Sequence, residues 1–229
     1  MNSEAFEDLL RSHGCWFEGH FVYASGRHGS DYIDIGPLLA RPHTLDLLGQ
    51  LLAEGAMAYM PDIGTVIGPA SKGQSLAEPT ARHLASLLEH KIRQALNHKV
   101  IGTLGRTGFD FSAAEAAKLV GRDTLVVEDT LNTGESVRKL IDVVIESGGT
   151  VVGVAAITNR GGVTAEDLGV PHLYTVFNRQ LPSFDPGPTP GDFAHSDCPL
   201  CRAGVQINIS YPRGKAFVDA FGQPPPKSL

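Results

Sequence analysis

The chain has little cysteine, three residues in 229. That excludes a disulfide-framed small domain and points to a reducing compartment, so a cytoplasmic protein is expected. Charge is also sparse, at 19% of residues against a usual quarter or so, and its balance is acidic, −6. A basic footprint for nucleic acid is therefore missing, and no nucleic-acid partner is expected. A polyanionic small ligand would have to be caught locally, by helix N-termini and a few Lys or Arg. Long apolar runs are absent, so no bilayer span is expected and no membrane partner. No charged region followed by an apolar run opens the chain, so no signal peptide is expected. There are no internal repeats, no Gly-x-Ser-x-Gly elbow and no Walker loop. What is present is a 42% hydrophobic composition, enough for one large α/β domain with or without an appendage.

One stretch organises the rest: Leu125-Val126-Val127-Glu128-Asp129-Thr130-Leu131-Asn132-Thr133-Gly134-Glu135-Ser136. Apolar residues run into two adjacent carboxylates, then a short polar loop, then a helix expected over Glu135–Ser147. Val137, Leu140, Ile141, Val144 and Ile145 give that helix its spacing, and Gly148-Gly149 follow as a stop. The first N–H groups of a helix are free and carry the positive end of its dipole. Thr133, Gly134, Glu135 and Ser136 would thus offer backbone and hydroxyl donors to an anion, most simply a phosphate. Two carboxylates facing that phosphate would repel it, so they make sense beside it, on a sugar diol or near a metal. An ordinary strand-to-helix crossover with an acidic turn is the plainer alternative.

Two further loops sit at expected strand ends, where open α/β sheets bind ligands. Ile63–Ile67 reads as a buried strand delivering Gly68-Pro69-Ala70-Ser71-Lys72-Gly73. A helix is expected to resume at Ser75, with Ser75 and Glu78 at capping-box spacing. Lys72 is a ligand candidate because the glycines permit close backbone approach, against the alternative of a solvated lysine. Thr150–Ile157 reads as a Val-rich parallel strand ending at Thr158-Asn159-Arg160-Gly161-Gly162, with Arg160 as ligand or surface residue. Lys99–Leu104 and His172–Phe177 read as further strands. Near the N-terminus, Cys15 to Gly36 has the alternation of a hairpin around Gly26-Arg27-His28-Gly29. From Gln180 onward Pro and Gly crowd the chain. There Cys198-Pro199-Leu200-Cys201 is half a zinc site. Its other half would come from His195, Cys15 or the same pair in a partner subunit, and a redox pair or a plain buried pair stay open. Val205–Ile209 reads as β-like.

Asp123 to Ser136 resembles the phosphoribosyl-pyrophosphate (PRPP) motif of the type I phosphoribosyltransferases. Gly68-Pro69-Ala70-Ser71-Lys72-Gly73 resembles that family's pyrophosphate loop, with Ser71 where Tyr is usual. Ser25-Gly26, Ser30, Tyr32 and Gly36 are similar to the N-terminal arm of the orotate enzymes within it. The resemblance implies that Glu128 and Asp129 hold the ribose hydroxyls, and that Thr130, Leu131, Asn132, Thr133, Gly134, Glu135 and Ser136 wrap the 5′-phosphate. It implies Lys72, flanked by Ser71 and Gly73, on the pyrophosphate together with Mg²⁺ carried by PRPP, and Arg160 with the Tyr32-Ile33 backbone on the base. Two departures stand out. Ala24 replaces a lysine of the arm, and Gly105–Ser112, where the family has a catalytic loop rich in basic residues, contains Arg106 alone, a candidate substrate contact or else a surface arginine.

The expected architecture is an open, mainly parallel twisted sheet with helices on both faces, the type I phosphoribosyltransferase fold. Residues 1–180 would form the core, with an arm over about 1–36. Residues 181–229 would form an extension that joins the arm in a small hood. The expected activity is transfer of the 5-phosphoribosyl group from PRPP to a base, first orotate, by a homodimer that needs Mg²⁺. A phosphoribosyltransferase for another base, and a non-catalytic regulator that binds PRPP or a nucleotide, are the rivals.

Overall fold

A computed structural model describes residues 3–226 apart from Ala24, Pro61, Ser71, His90, Lys91, Asn97, 102–106, Pro188 and Pro190. Ser71, Arg106 and Ala24, singled out above, thus lie outside the described residues. In chain order come α1 (Ser3–Ser12), β1 (Trp16–Val22), β2 (His28–Ile33), α2 (Gly36–Leu39), α3 (Pro42–Met57), β3 (Thr65–Ile67), α4 (Lys72–Leu88) and β4 (Arg93–Gln94). Then follow β5 (His98–Ile101), β6 (Thr107–Asp110), α5 (Ala113–Ala116), β7 (Asp123–Leu131), α6 (Glu135–Glu146) and β8 (Thr150–Asn159). The chain closes with α7 (Ala165–Leu168), β9 (Leu173–Asn178), α8 (Pro199–Arg202) and α9 (Pro212–Phe221). Two compact units share them: Met1–Leu9 with Ile35–Gln180, and Leu10–Asp34 with Leu181–Leu229.

The first unit is built on a five-stranded parallel sheet in the order β4-β3-β7-β8-β9. The central strands are apolar on both faces, as parallel strands covered by crossover helices must be. Val126, Val154 and Ala156 are buried in one cluster with Val137, Leu140, Ile141 and Val144 of α6. Each such side chain contributes about 1.5–3 kcal/mol by burial, and this fixes α6 against the end of β7. Ile145, expected on that stripe, is 56% exposed. At about 100° per residue it falls roughly a quarter-turn off the stripe's centre. Leu125, Val127, Ala155 and Ile157 alternate to the other face and are fully buried as well. Helices α3 and α4 pack on this sheet and on each other. Gly49 lets them meet, since a Cβ there would stand 2.5 Å from Cβ of Pro79 inside α4.

The structure corrects several local expectations. Helix α4 starts at Lys72 rather than Ser75, so the supposed capping box lies inside it. Gly68 and Gly73 approach so closely that a side chain on Gly68 would overlap the Gly73 carbonyl, and the loop passes straight into a helical turn. Residues 98–101 do not extend the parallel sheet. They pair antiparallel with 107–110, while the short β4 takes the edge beside β3. The expected catalytic-loop region thus contributes β6 to a separate hairpin.

The second unit holds the antiparallel β1–β2 hairpin, registered from Trp16 opposite Ile33 to Val22 opposite His28. Tyr32 lies 4.3 Å, centroid to centroid, from the ring of Tyr211. Val22, Phe193, Cys198, Cys201 and Ile207 form its core, with Phe184, Leu200, Phe217 and Val218 packed on them. Val205–Ile209 is not a strand; it makes a single bridge, Ile207 to His20. The Gln223 side chain supplies what a neighbouring strand would: its Oε1 accepts from Ile207 N–H at 2.7 Å and its amide donates to Ile207 O at 3.0 Å.

Candidate active site

Three loops of the first unit leave the C-terminal ends of β3, β7 and β8, which are direct neighbours in the sheet. Adjacent parallel strands release their chains at one edge, so loops distant in sequence converge there. They are the loop from Gly68 into α4, the loop from Asp129 into α6, and the loop from Asn159 to α7.

Glu128 is 5% exposed. Its Oε1 accepts the Asp129 N–H at 2.9 Å, and a Cβ on Gly73 would stand 2.7 Å from that oxygen. Gly73 therefore permits the first turn of α4 to lie against the acidic pair. Lys72, one residue earlier, is exposed in that turn. Asp129, the next residue along the strand, is half-buried.

The loop after β7 bends into α6 at Gly134, whose φ of 72° is left-handed. Gly134 as N-cap brings no side chain of its own, the Thr133 hydroxyl accepts the Glu135 N–H at 3.4 Å, and an anion at this end would meet the positive end of the helix dipole. Glu135 turns its carboxylate to Lys139 at 2.6 Å, and that bond lowers its pKa. Thr133 and Ser136 are exposed, Asn132 is half-buried, and Leu131 is buried.

Arg160 is tied to this loop through its backbone. The N–H groups of Arg160 and Gly161 both donate to Leu131 O, at 3.0 and 3.2 Å. A side chain on Gly161 would overlap the Asn132 carbonyl. Thr158 Oγ1 lies 3.0 Å from Thr130 Oγ1, a further link between the strand ends. The structure thus brings together Glu128, Asp129, the 130–136 loop, Gly73, Lys72 and Arg160. Tyr32 and Ile33 belong to the second unit, where Tyr32 is half-buried and Ile33 is buried.

Sequence reasoning missed the residues that hold the third loop in shape. The buried Asn159 amide donates to Val163 O at 2.8 Å, and its oxygen accepts Val163 N–H at 3.0 Å. Thr164 and Asp167 form a reciprocal capping box at the start of α7. The Thr-x-x-Asp spacing was legible; the bracket made by Asn159 had no local signal. A cavity bounded by Tyr59, Met60, Asp62, Asp123, Thr150 and His172 lies elsewhere, at the N-terminal ends of β7 and β8. It is remote in the fold from the three loops, and we do not assign it to the site.

The pattern matches known proteins. The sequence model of the phosphoribosyl transferase domain matches residues 37–180. The orotate phosphoribosyltransferase of Thermotoga petrophila is 34% identical over 209 residues, 91% of this chain and 98% of that protein. That of Caldicellulosiruptor bescii is 32% identical over 208 residues, 90% of this chain and 96% of that protein. The crystal structure of orotate phosphoribosyltransferase from Aeropyrum pernix is similar with a TM-score of 0.55 at 27% identity, covering 75% of this chain and 92% of that one.

Proposed function

The chain belongs to the phosphoribosyl transferase domain family, and on that premise we propose that it transfers the 5-phosphoribosyl group of PRPP to orotate. The products are orotidine 5′-monophosphate and pyrophosphate, a step of pyrimidine biosynthesis. The observation that carries the site assignment is the convergence of three ligand-type loops at one sheet edge, with Gly73 holding the first against Glu128.

In this reading an orotate nitrogen attacks the anomeric carbon of PRPP as the bond to pyrophosphate oxygen breaks. Positive charge builds on the ribose ring and negative charge on the leaving group. The protein's task is to hold and orient the donor and to stabilise the departing charge, with no covalent nucleophile. The α6 N-terminus and the 130–136 loop hold the 5′-phosphate, supported by the side-chain-free Gly134 at the helix start. Glu128 and Asp129 orient the ribose hydroxyls. Lys72 and the first turn of α4 meet the pyrophosphate. Arg160 holds the carboxylate of the base, supported by its backbone anchorage to Leu131.

Magnesium fits this donor set. The Asp129 carboxylate and Thr130 hydroxyl are hard oxygen donors of the kind Mg²⁺ accepts, alongside PRPP oxygens. When bound, it would neutralise charge on the pyrophosphate. The reading also keeps a homodimer and a cytoplasmic setting, which the family resemblance implies.

The test is pyrophosphate release from PRPP and Mg²⁺ with orotate, then with a panel of purines and other pyrimidines. Release with orotate is expected, reduced at least about 10²-fold by Asp129→Asn and by Arg160→Ala. Release with another base alone would retire Arg160 as a carboxylate clamp. PRPP binding without release from any base would replace the enzyme by a binding regulator.

A further inference from the structure

The second unit buries four side chains that phosphoribosyl transfer does not use. His20, His28, Cys198 and Cys201 are at most 2% exposed, and one ligand atom from each falls within 4.8 Å of all the others. His20 Nε2 lies 3.0 Å from His28 Nδ1 and 3.7 Å from both sulfurs, and Cys201 Sγ lies 3.3 Å from His28 Nδ1. A tetrahedral zinc with Zn–N of about 2.05 Å and Zn–S of about 2.3 Å has N–N edges near ~3.3 Å and N–S edges near ~3.6 Å. The observed N–S distances of 3.3 to 3.7 Å span the second value, and the N–N distance of 3.0 Å falls slightly short of the first.

The surroundings suit a metal. His20 Nδ1 lies 2.7 Å from Val205 O. A carbonyl only accepts, so the proton sits on Nδ1 and the Nε2 lone pair faces the cluster, as outer-sphere bonds orient metal-bound histidines. His28 Nε2 is buried and has no hydrogen-bond partner among the described residues. Its other nitrogen, Nδ1, is the one that faces His20 and Cys201. Two thiolates with two neutral imidazoles would cancel the charge of a divalent ion, which matters in a site without water.

We propose that His20, His28, Cys198 and Cys201 bind one Zn²⁺ as a closed structural site. Soft sulfur with imidazole selects zinc over the oxygen-seeking Mg²⁺ or Ca²⁺. Four protein ligands leave no open position, so the ion serves structure rather than catalysis. It fastens β1 and β2 to the 198–201 turn, with His20 and Cys201 181 residues apart in sequence, in a unit whose own apolar core is small. Neither His195 nor Cys15, weighed earlier as completing ligands, belongs to the group. His195 is exposed and held by Asp192, and the Cys15 thiol faces His13 O. A redox role for the pair fits poorly, since reactive cysteines need access.

The test uses the full chain purified without chelator. Elemental analysis should find close to one zinc per chain. Cys201→Ser and His28→Ala should abolish it, while His195→Ala and Cys15→Ser retain it. Should the ligand variants fail to fold, the wild-type protein decides the matter. Cobalt exchanged into it should show the visible bands of a tetrahedral ion with a thiolate charge-transfer band, and stripping the metal should lower the melting temperature. Protein that takes up no zinc on reconstitution, zinc that survives loss of these ligands, or a Cys198–Cys201 disulfide formed in place of metal binding would each overturn the proposal.

Discussion

Gly73 and Glu128 stand so close that a Cβ on the glycine would sit 2.7 Å from the carboxylate Oε1. Two loops that the proposed function assigns to different parts of PRPP are thereby in contact. Gly73→Ala should push α4 from β7 and misplace both Lys72 and Glu128. A misplacement of about 1 Å can cost on the order of 10²-fold in rate. We expect kcat/KM for PRPP to fall by about that factor with far-UV circular dichroism unchanged. Activity within twofold of wild type would show that the approach is incidental.

Asn159 brackets Val163 through two buried hydrogen bonds. Asn159→Ala would leave a buried donor and acceptor without partners, at about 1–3 kcal/mol each. The Arg160–Gly162 turn would loosen while the 130–136 loop stayed in place. The expected result is a raised KM for orotate and an unchanged Kd for PRPP, measured by calorimetry. Equal losses on both ligands would mean that the turn does not act on the base alone.

Gly134 holds the left-handed bend into α6, and a Cβ there would also meet Leu168 Cδ2 at 2.8 Å. A left-handed conformation costs an ordinary residue about 1–2 kcal/mol. Gly134→Ala should therefore lower unfolding free energy by at least about that amount in urea titration, and weaken PRPP binding in step. A stable variant that binds PRPP normally would contradict the assignment of this bend.

Asp167 carries a pH signature. Its carboxyl lies below the ordinary 3.8 because the Thr164 N–H, and then the Thr164 hydroxyl, donate to it. A depressed carboxyl stabilises the fold above its unfolded value and loses that contribution as pH falls through the lower native one. The gap in urea midpoint between wild type and Asp167→Ala should be constant from pH 7 to about 5 and close below about 3.8. A gap that persists well into that acid range would show that the carboxylate is not its source.

Much of the site was legible because its signals are local. A carboxylate pair between an apolar strand and an amphipathic helix, or a glycine-rich loop after a strand, is set by side-chain period and backbone freedom within a dozen residues. The β5–β6 hairpin was not legible as such. Whether a short strand joins a parallel sheet or folds back depends on which edge is free, and β4 occupies that edge. Likewise Val205–Ile209 has strand-forming residues, but Gln223 satisfies Ile207 before any strand can.

By itself, the sequence determined the sheet's apolar strands, the α6 stripe and the residue types of each loop, since these follow from periodicity and from the conformations glycine alone allows. Only the tertiary structure decided what stands beside what. Glu128 meets Gly73, and Arg160 is anchored to Leu131, because β3, β7 and β8 are neighbours in the sheet. Two histidines of a hairpin complete a cysteine pair some 170 residues away in the chain. Nothing local in either segment encodes that meeting; it results from the packing of the second unit's core, which buries all four ligands in one place.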